Sequence, residues 1–399
     1  MTPAILCLSS SFKGAAFLGA CKEAGLHVIL ATNDKNTDEP WPREVIDEFF
    51  HMPDLGRSPD IVHAAAYLAR SRQIDLMVAL DDFDVETVAH LREHFRLPGM
   101  GASLARNFRD KLAMRTTARN AGLLVPEFTG VFNYDNLREF MARVAPPWLL
   151  KPRSEASSMG IKKIEHADEI WPVLESLGDQ QSFFLMEQFV AGDVYHVDGL
   201  VDDGEVLFSM AHKYGKPPLS VYAGGGVFLT RSLDRESEES KALVTLNKQV
   251  LTAMGIVRGA THSEYIKSHA DGQYYFLENA ARVGGANIAE CVDYASGVNL
   301  WAEWARIEIA NLHGEKYQLP RTHAGYAGII NCLAHQEWPD LSGYNDPEVV
   351  WRLNKKYHAG LIVSSPDAAR IESLLTSYAE RFAHDFLAVL PPRQSFSEM

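Results

Sequence analysis

Two acidic segments carry the residues that point most directly to chemistry. Glu264 lies in the segment THSEYIK, and Glu278 follows the apolar run YYFL 14 residues later, with the polar turn SHADG between them. A hairpin of that size can bring the two carboxylates side by side on one face. Two like charges held together are unfavourable unless a cation lies between them, and oxygen ligands suit Mg²⁺. The pattern predicts a Mg²⁺ site that bridges nucleotide phosphates, with a solvated hairpin face as the alternative.

Two further side chains lie close to this pair in the sequence. Arg282 comes four residues after Glu278, just before Gly284-Gly285, and His262 comes two residues before Glu264. An arginine beside a metal site can pair with a carboxylate or with a developing oxyanion. His262 shares a strand face with Glu264 and could do related work, although a lone histidine is more often structural.

A loop of small polar residues forms a third feature. In the stretch LLKPRSEASSMGIKKI, a strand delivers Lys151 and is followed by a loop that runs from Arg153 to Gly160. Ser157, Ser158 and Gly160 leave their backbone N–H groups open, so the loop could cradle a phosphate while Lys151 supplies a point charge. A plain surface hairpin is the alternative.

The elements that must position these residues fall into two patterns. Short apolar runs at 3–8, 27–31 and 74–80 alternate with helical segments, which predicts βαβ units and a parallel sheet. Three acids follow the third run directly, at Asp81, Asp82 and Asp84; they could face the crevice at the carboxyl ends of the strands, but a solvated turn is favoured. The first turn, SSSFKGAAF, lacks the glycine spacing of a dinucleotide site, which argues against an oxidoreductase.

The second pattern begins near residue 105. A helix ending near Gly122 and another over 135–144 lead into a β-rich stretch that reaches about residue 231. Next comes an amphipathic helix over 236–254, whose apolar stripe contains Leu243, Leu246, Val250 and Met254 and which Gly255 should end. A final α+β segment covers about 315–390.

Composition limits the partners and the compartment. The 399 residues contain 52 Asp plus Glu against 38 Lys plus Arg, a formal charge of −14, so neither nucleic acid nor an anionic membrane is expected as a partner. The four cysteines are far apart and form no CxxC pair, which predicts buried free thiols. No apolar run approaches the roughly 20 residues of a bilayer span. We therefore expect a cytoplasmic protein, and a homodimer is left open.

The motifs together resemble those of the ATP-grasp superfamily, and specifically its carboxylate–amine ligases such as L-amino acid ligases. The resemblance covers about residues 1–315 and depends on the order and spacing of the motifs. Lys111 lies in an Asp-Lys helix ahead of the turn GLLVP and matches the family's first phosphate lysine. Lys151 matches its second, and Glu155–Gly160, including Met159, matches its flexible loop.

Further site residues follow from this resemblance. The segment FLMEQFVAGDVYHVDGL is similar to the family's adenine hinge, which implies that Glu187, Gln188 and Val190 surround the base. The family's ribose acid falls on Val194 here, so Asp193 is the nearest substitute. Lys213 resembles a further phosphate-contacting lysine.

The metal and acyl-phosphate residues are implied in the same way. Glu264 and Glu278 match the paired Mg²⁺ carboxylates, and Arg282 keeps the position that contacts the acylphosphate or the substrate carboxylate. The family's usual Glu-x-Asn-Pro-Arg is ENAAR in this chain, so Ala280 replaces the metal-binding amide, and Asn279 should point to the opposite strand face.

The resemblance implies an α/β and α+β chain with the ATP-grasp fold. We expect a Rossmann-like domain over 1–100, an ATP-grasp domain over 101–315 with a lid at about 146–215, and a C-terminal α+β segment over 316–399. The implied activity uses ATP and Mg²⁺, with Mn²⁺ able to substitute. It joins a small-molecule carboxylate to an amine through an acylphosphate, and Arg282, His262 and Lys213 are the expected catalytic residues. A carboxyphosphate-forming carboxylase and a non-catalytic nucleotide-binding module are the alternatives.

Overall fold

The computed structural model describes residues 2–156 and 158–389 and begins with a parallel sheet. Its strands and helices are β1 Ala4–Ser9, α1 Ala15–Glu23, β2 His27–Asn33, β3 Glu48–Met52, α2 Ser58–Leu68, β4 Leu76–Ala79 and α3 Val85–Phe95. The strand order is β3-β2-β1-β4, with every pairing parallel. The three predicted strands are confirmed. The sequence prediction missed β3, because its residues EFFHM are only half-buried and form no apolar run.

Both faces of this sheet are covered, which explains the continuous apolar runs. Ile5 and Val28 pack in a core with residues of α1, whereas Leu6 and Ile29 pack on the other side with residues of α2 and α3. Burial on both faces is typical of parallel sheets with helical crossovers. At the carboxyl end of the sheet, β4 leads into a short 3₁₀ turn at Asp82–Asp84.

A smaller antiparallel sheet follows in the chain. Its elements and those that precede it are α4 Ala102–Ala105, α5 Lys111–Asn120, β5 Phe128–Gly130, α6 Tyr134–Arg143, β6 Trp148–Pro152, β7 Lys162–Ile164, α7 Ile170–Leu177 and β8 Phe184–Gln188. The strand order is β5-β8-β6-β7. A core that includes Leu137, Leu150 and Leu174 joins this sheet to α6 and α7.

The largest sheet carries the acidic hairpin. The remaining elements are β9 Gly192–Asp202, β10 Glu205–Tyr214, α8 Pro218–Gly224, β11 Phe228–Ser232, α9 Glu238–Met254, β12 Gly259–Ser268, β13 Tyr274–Ala280, α10 Ile288–Ser296, α11 Leu300–Leu312, β14 Tyr326–Leu333, β15 Val349–Arg352, β16 His358–Ser365 and α12 Ala368–Asp385. The eight strands run in the order β13-β12-β9-β10-β11-β14-β16-β15. The three strands after residue 325 thus extend the sheet that contains the hairpin.

Helix α9 covers one face of the hairpin. Leu243, Val250 and Met254 from its predicted stripe are buried against Tyr265 and Phe276 of β12 and β13. The helix ends at Gly255, which has φ 79°, as the sequence predicted. The opposite face of β12 is left to form the site.

Two further expectations concern the state of the cysteines and the presence of membrane-spanning helices. Cys7, Cys21, Cys291 and Cys332 are buried free thiols, as their spacing predicted. Among the described residues, no helix combines the length and apolarity that a bilayer span needs. The domain boundaries given above stay a prediction.

Candidate active site

The acidic hairpin has the predicted register. Strands β12 and β13 are antiparallel, and Glu264 lies directly opposite Glu278. Directly opposite residues share a face, so the two carboxylates stand side by side. Asn279 faces the other way, as predicted, since its amide oxygen accepts a hydrogen bond from Ser263 Oγ, 3.1 Å away.

The donor set of this pair suits Mg²⁺. The Tyr214 hydroxyl donates to Glu264 Oε1 at 2.7 Å, and the Lys111 ammonium lies 2.9 Å from Glu278 Oε2. Burial alone would raise the pKa of Glu278, but Lys111, Lys151 and Arg115 lower it to about 2, so the carboxylate is ionised at neutral pH. Two ionised or hydrogen-bonded carboxylates on adjoining strands offer the oxygen ligands that Mg²⁺ prefers. These residues therefore fit the ion that the sequence implied.

Lys111 is held at the start of α5. The Asp110 side chain caps this helix by accepting from the N–H groups of Leu112 and Ala113. The Lys111 ammonium also donates to the Glu155 carbonyl at 2.6 Å, and its backbone N–H donates to the Arg153 carbonyl. One residue thus joins the acidic hairpin to the Ser/Gly loop.

Lys151 belongs to a buried triad of charges. Its ammonium donates to Glu187 Oε1, and Arg115 donates to Glu187 Oε2 at 2.9 Å. Burial lowers the pKa of Lys151, although Glu187 opposes this effect. Burial would also raise the pKa of Glu187, but Arg115 and Lys151 hold it below its ordinary value. The Glu187 side chain therefore holds two cations, which departs from the expected contact with a base.

The Ser/Gly loop connects β6 to β7. Ser158 and Met159 line the cavity described below, and the Met159 N–H donates to the Ala156 carbonyl. Ser158 has φ 59° and Gly160 has φ 67°, so this short segment contains two left-handed residues. Gly160 adopts that conformation without strain. The predicted contact of Ser157 lies outside the described residues.

These groups surround a cavity of about 250 Å³. Its charged lining residues include Lys111, Lys151, Glu264 and Glu278. Its apolar lining residues include Pro126, Leu149, Ile161, Phe189, Ile266 and Leu277, and Gln188 and Val190 also line it. A mostly apolar lining with a few charged groups is a general property of small-molecule sites. The structure therefore brings both predicted phosphate lysines, both acids and the hinge residues into one cavity.

Five of the predicted residues within the described part of the chain do not line this cavity, namely Asp193, Lys213, His262, Arg282 and Gly160. Asp193 lies between Gly192 and Val194, which line the cavity, so its side chain points to the opposite face of β9. It forms an ion pair of 2.8 Å with Lys213. Lys213 pairs with Tyr195 in the sheet and lies over the ring of that tyrosine, 5.3 Å from its centroid. Both side chains are thus on the face turned away from Glu264, although Asp193 Oδ1 lies 3.7 Å from Nε2 of His269, which lines the cavity. The ribose role of Asp193 and the phosphate role of Lys213 stay predictions, and this geometry does not support them.

His262 is part of a buried histidine–aspartate cluster that the sequence analysis missed. Its Nδ1 lies 2.9 Å from Asp198 Oδ1, and its Nε2 lies 3.6 Å from Glu264 Oε1. Asp198 also contacts His196 Nδ1 at 2.6 Å, and the ring of His196 stacks on His212. Burial alone would lower the pKa of His262, but Asp198 and Glu264 raise it to about 9. The i, i+2 spacing of His196 and Asp198 on a strand was the signal that could have revealed the cluster.

The acids after β4 are buried, contrary to the expected solvated turn. Asp81 and Asp84 are 1% exposed and Asp82 is 6% exposed. Arg109 donates to Asp82 Oδ2 at 2.7 Å, and Arg282 Nη2 lies 3.7 Å from the same oxygen. Arg282, which follows the hairpin and could contact an acyl group, therefore lies at the carboxyl edge of the first sheet.

Comparison with known proteins shows what this chain is similar to. Residues 144–290 match the ATP-grasp domain family. The chain is 26% identical over 292 residues to an L-arginine-specific L-amino acid ligase of Bacillus subtilis, covering 70% of each protein. It is 24% identical over 265 residues to an alanine–anticapsin ligase of the same species, covering 60% of this chain but only 55% of that protein.

Solved structures show the same fold at low sequence identity. An L-amino acid ligase from Bacillus licheniformis superposes with a TM-score of 0.76 at 17% identity, covering 98% of this chain and 99% of that one. An N5-carboxyaminoimidazole ribonucleotide synthetase from Thermus thermophilus superposes with a TM-score of 0.71 at 17% identity, covering 97% of this chain and 99% of that one. Residues 144–290 thus match the ATP-grasp domain family, and the proteins to which the chain is similar include two that are named as L-amino acid ligases.

Proposed function

We propose that the protein is an ATP-dependent carboxylate–amine ligase that forms an amide or peptide bond between amino-acid-like substrates. The observation that carries this proposal is the cavity itself, which is lined by Lys111, Lys151 and the paired Glu264 and Glu278 together with many apolar side chains. That arrangement fits a nucleotide whose base lies beside Gln188 and Val190 and whose phosphates reach the lysines. The named activities of the Bacillus subtilis relatives support the same reaction class.

Glu264 and Glu278 would hold Mg²⁺, which supplies charge neutralisation on the nucleotide phosphates when it is bound. Lys111 and Lys151 would add two positive charges on the other side of the phosphates. In phosphoryl transfer, positioning and electrostatic stabilisation provide most of the catalysis. Ser158 and Met159 of the loop would cover the phosphates and exclude water.

The first chemical step forms the acylphosphate. A carboxylate oxygen of the substrate attacks the γ-phosphorus of ATP, a new P–O bond forms, and the bond between the γ-phosphorus and the bridging oxygen breaks to release ADP. Arg282 would orient the attacking carboxylate, because it follows the end of β13 by two residues and its charged guanidinium is only 14% exposed. No proton transfer is needed in this step.

The second step forms the amide. The amine nitrogen attacks the acyl carbon, the C–O bond to phosphate breaks, and inorganic phosphate and one proton leave. Arg282 and His262 would stabilise the oxyanion of the tetrahedral intermediate. Asp198 supports this role of His262, because its ion pair at Nδ1 fixes the ring and favours the imidazolium.

The test is an ADP-release assay with purified protein, ATP and MgCl₂. All pairs of the twenty amino acids are supplied, and products are identified by mass spectrometry. We expect ADP, phosphate and a dipeptide in equal amounts for at least one pair. Bicarbonate-dependent ADP release with no amino acid would instead favour the carboxyphosphate alternative. Absence of any ADP release, together with tight ATP binding, would favour a non-catalytic module.

A protein with four free thiols is suited to a reducing compartment, which supports a cytoplasmic enzyme.

A further inference from the structure

Arg109 bridges two parts of the chain that are far apart in the sequence. Its Nη1 donates to Asp82 Oδ2 at 2.7 Å, and its Nη2 donates to the Ser154 carbonyl. The side chains of Arg109 and Asp82 are 6% and 9% exposed, so water competes little for the ion pair. The guanidinium also lies over the ring of Phe83, 4.8 Å from its centroid. One buried cation therefore joins the turn after β4 to residues 153–155, which form the base of the Ser/Gly loop.

The turn that carries Asp82 is tied to the first sheet. Asp81 Oδ1 accepts from the Phe83 N–H at 3.2 Å, which closes the turn. Asp84 accepts from the Ser10 N–H at 2.7 Å and from the Ser10 hydroxyl at 2.6 Å, with one bond on each carboxylate oxygen. Because Ser10 directly follows β1, an interior strand, these bonds hold the turn at the carboxyl edge of the sheet. Asp82 is therefore an acceptor on a fixed support.

The loop base is held by three consecutive residues at the start of α5. Asp110 accepts from the Arg153 guanidinium at 2.9 Å. The Lys111 ammonium donates to the Glu155 carbonyl at 2.6 Å. Arg109 supplies the contact to the carbonyl between those two residues. Of these three contacts, that of Arg109 is the one that continues to the first sheet.

The contacts of Lys111 and Arg109 should respond differently to a nucleotide. Lys111 lines the cavity and is expected to contact the phosphates, so it can exchange the Glu155 carbonyl for a phosphate oxygen. Arg109 does not line the cavity and can keep both of its acceptors. A guanidinium presents its donors in a rigid planar fork, which suits two acceptors at a fixed separation. The Arg109 bridge can therefore hold the loop base in place while the loop covers a nucleotide.

We propose that Arg109 is a positioning residue whose bridge between Asp82 and Ser154 sets the position of the loop base, so that closure of the Ser/Gly loop over a bound nucleotide depends on it. The inference rests on the proposed function for the binding of ATP in the cavity, but it does not depend on which acid or amine is joined. Loss of the bridge leaves the Ser154 carbonyl without its charged donor and releases the loop base from the first sheet. The open loop then admits water to the phosphates, which closure otherwise excludes.

The first experiment measures hydrogen exchange in the loop by mass spectrometry, with and without the non-hydrolysable analogue AMP-PNP and MgCl₂. The variants are Arg109→Met, which removes both bonds, and Arg109→Lys, which keeps the charge but has no planar fork. Loss of a hydrogen bond to a charged group typically shifts an equilibrium by about 10- to 100-fold. We expect both variants to lose the protection that AMP-PNP gives to residues 153–162 by about that factor. Protection equal to that of the wild type in both variants would overturn the inference.

Arg106→Met is the matched control, because Arg106 is an exposed arginine on the short 3₁₀ turn that ends just before Arg109. We expect this variant to keep wild-type protection. Full protection in Arg109→Lys together with its loss in Arg109→Met would show that a positive charge is sufficient, which would contradict the bridge. A purely structural role predicts that Arg109→Met melts at a lower temperature but is protected normally by AMP-PNP below its melting transition, and that result would also contradict the inference.

The second experiment is a double-mutant cycle on the bridge. Calorimetry measures the AMP-PNP affinity of Asp82→Ala, Arg109→Met and the double variant. Because the two side chains form one link, we expect each single change to weaken binding by about tenfold and the double change to weaken it by about the same factor. Losses that multiply in the double variant would overturn the inference. If the Arg109 variants do not fold, hydrogen exchange in Asp82→Ala decides the question, since an unbridged loop must lose the same protection.

Failure of the proposed function gives a different set of results. A wild-type protein that binds no AMP-PNP in calorimetry would contradict ATP binding in this cavity, and the inference would fall with it. A wild-type protein that binds AMP-PNP and shows the expected effect of Arg109, but forms no amide with any amino-acid pair, would contradict the ligase proposal and support the inference.

Discussion

Lys111 Nζ lies 2.9 Å from Glu278 Oε2, so a candidate phosphate lysine is paired with a candidate metal ligand. Both groups line the cavity. The pair brings opposite charges together, with the Lys111 side chain 11% exposed and that of Glu278 33% exposed. Because a nucleotide with Mg²⁺ brings both an anion for the lysine and a cation for the carboxylate, binding would exchange these partners without leaving either charge uncompensated.

Replacing the carboxylate should abolish this exchange. In Glu278→Gln, we expect ATP turnover to fall at least about 100-fold, which corresponds to about 3 kcal/mol of lost transition-state stabilisation. Mg²⁺ should also no longer raise the melting temperature in the presence of ATP. The measurements are ADP release and thermal unfolding with and without MgCl₂. Turnover within about threefold of the wild type would contradict the metal assignment.

The buried triad of Glu187, Arg115 and Lys151 predicts a large stability effect. In Glu187→Gln, two buried cations lose the carboxylate between them, and we expect the free energy of unfolding to fall by about 3–5 kcal/mol. Urea unfolding should show a lower midpoint at an unchanged m-value. The control is Arg119→Ala, which removes an exposed pair with Glu127 and should cost less than about 1 kcal/mol. Equal losses in the two variants would show that the triad adds no special stability.

Much of the site was predictable because it depends on local order in the chain. The turn between the two acidic segments sets the pairing of Glu264 with Glu278, and Lys151 precedes its loop directly. Such relationships extend over few residues. The apolar runs of β1, β2 and β4 were equally clear, because both faces of that sheet are buried.

The residues that were misplaced depend on register between distant strands. A shift of one residue in the pairing of two strands moves a side chain to the other face of the sheet. Lys213 lies opposite Tyr195 in a pairing that contains an irregularity between Val206 and Phe208, which no local pattern reveals. The burial of Asp82 depends on Arg109, a residue from a separate segment. Long-range partners of this kind cannot be deduced from spacing alone.

The loop between β6 and β7 should be protected by nucleotide. Trypsin can cut after Arg153 and Lys162, which flank the cavity-lining Ser158 and Met159. With ATP and MgCl₂ at about 100 times the dissociation constant, binding stabilises the folded, nucleotide-bound state by about 2.7 kcal/mol and should slow cleavage in the loop by up to about 100-fold. Mass spectrometry of the fragments measures this, and cleavage after the exposed Lys356 serves as the internal control. An unchanged rate at Arg153 and Lys162 would mean that the loop is a plain surface hairpin.

Variants of Lys151 and Arg282 should separate effects on ATP binding from effects on amide formation. Lys151→Ala removes a charge from the phosphate end of the cavity, so both ATP affinity and turnover should fall. Arg282→Ala should leave ATP affinity within about threefold and cut amide formation by about 10²–10³-fold, the scale of losing one oxyanion donor. Calorimetry for ATP is compared with ADP and amide yields for both variants. An Arg282→Ala enzyme that binds ATP poorly but forms amide normally at saturating ATP would assign Arg282 to the nucleotide.

The pH dependence of the free energy of unfolding should reveal the titration of Asp84 in the folded protein. Burial and the neighbouring Asp81 raise the pKa of Asp84 in the folded protein to about 7, whereas an unfolded aspartate titrates near 3.9. Between these values the folded state holds a proton that the unfolded state has released, so its stability falls as the pH rises. Asp81, whose pKa is lowered to about 2, does not titrate in this range. The test is urea unfolding of the wild type and of Asp84→Asn at several pH values. Between about pH 5 and pH 7, the free energy of unfolding of the wild type should fall by about 2–3 kcal/mol relative to the variant. Well above pH 7, it should fall no further relative to the variant. Parallel curves for the two proteins would show that Asp84 is already ionised in the folded state at the lower pH.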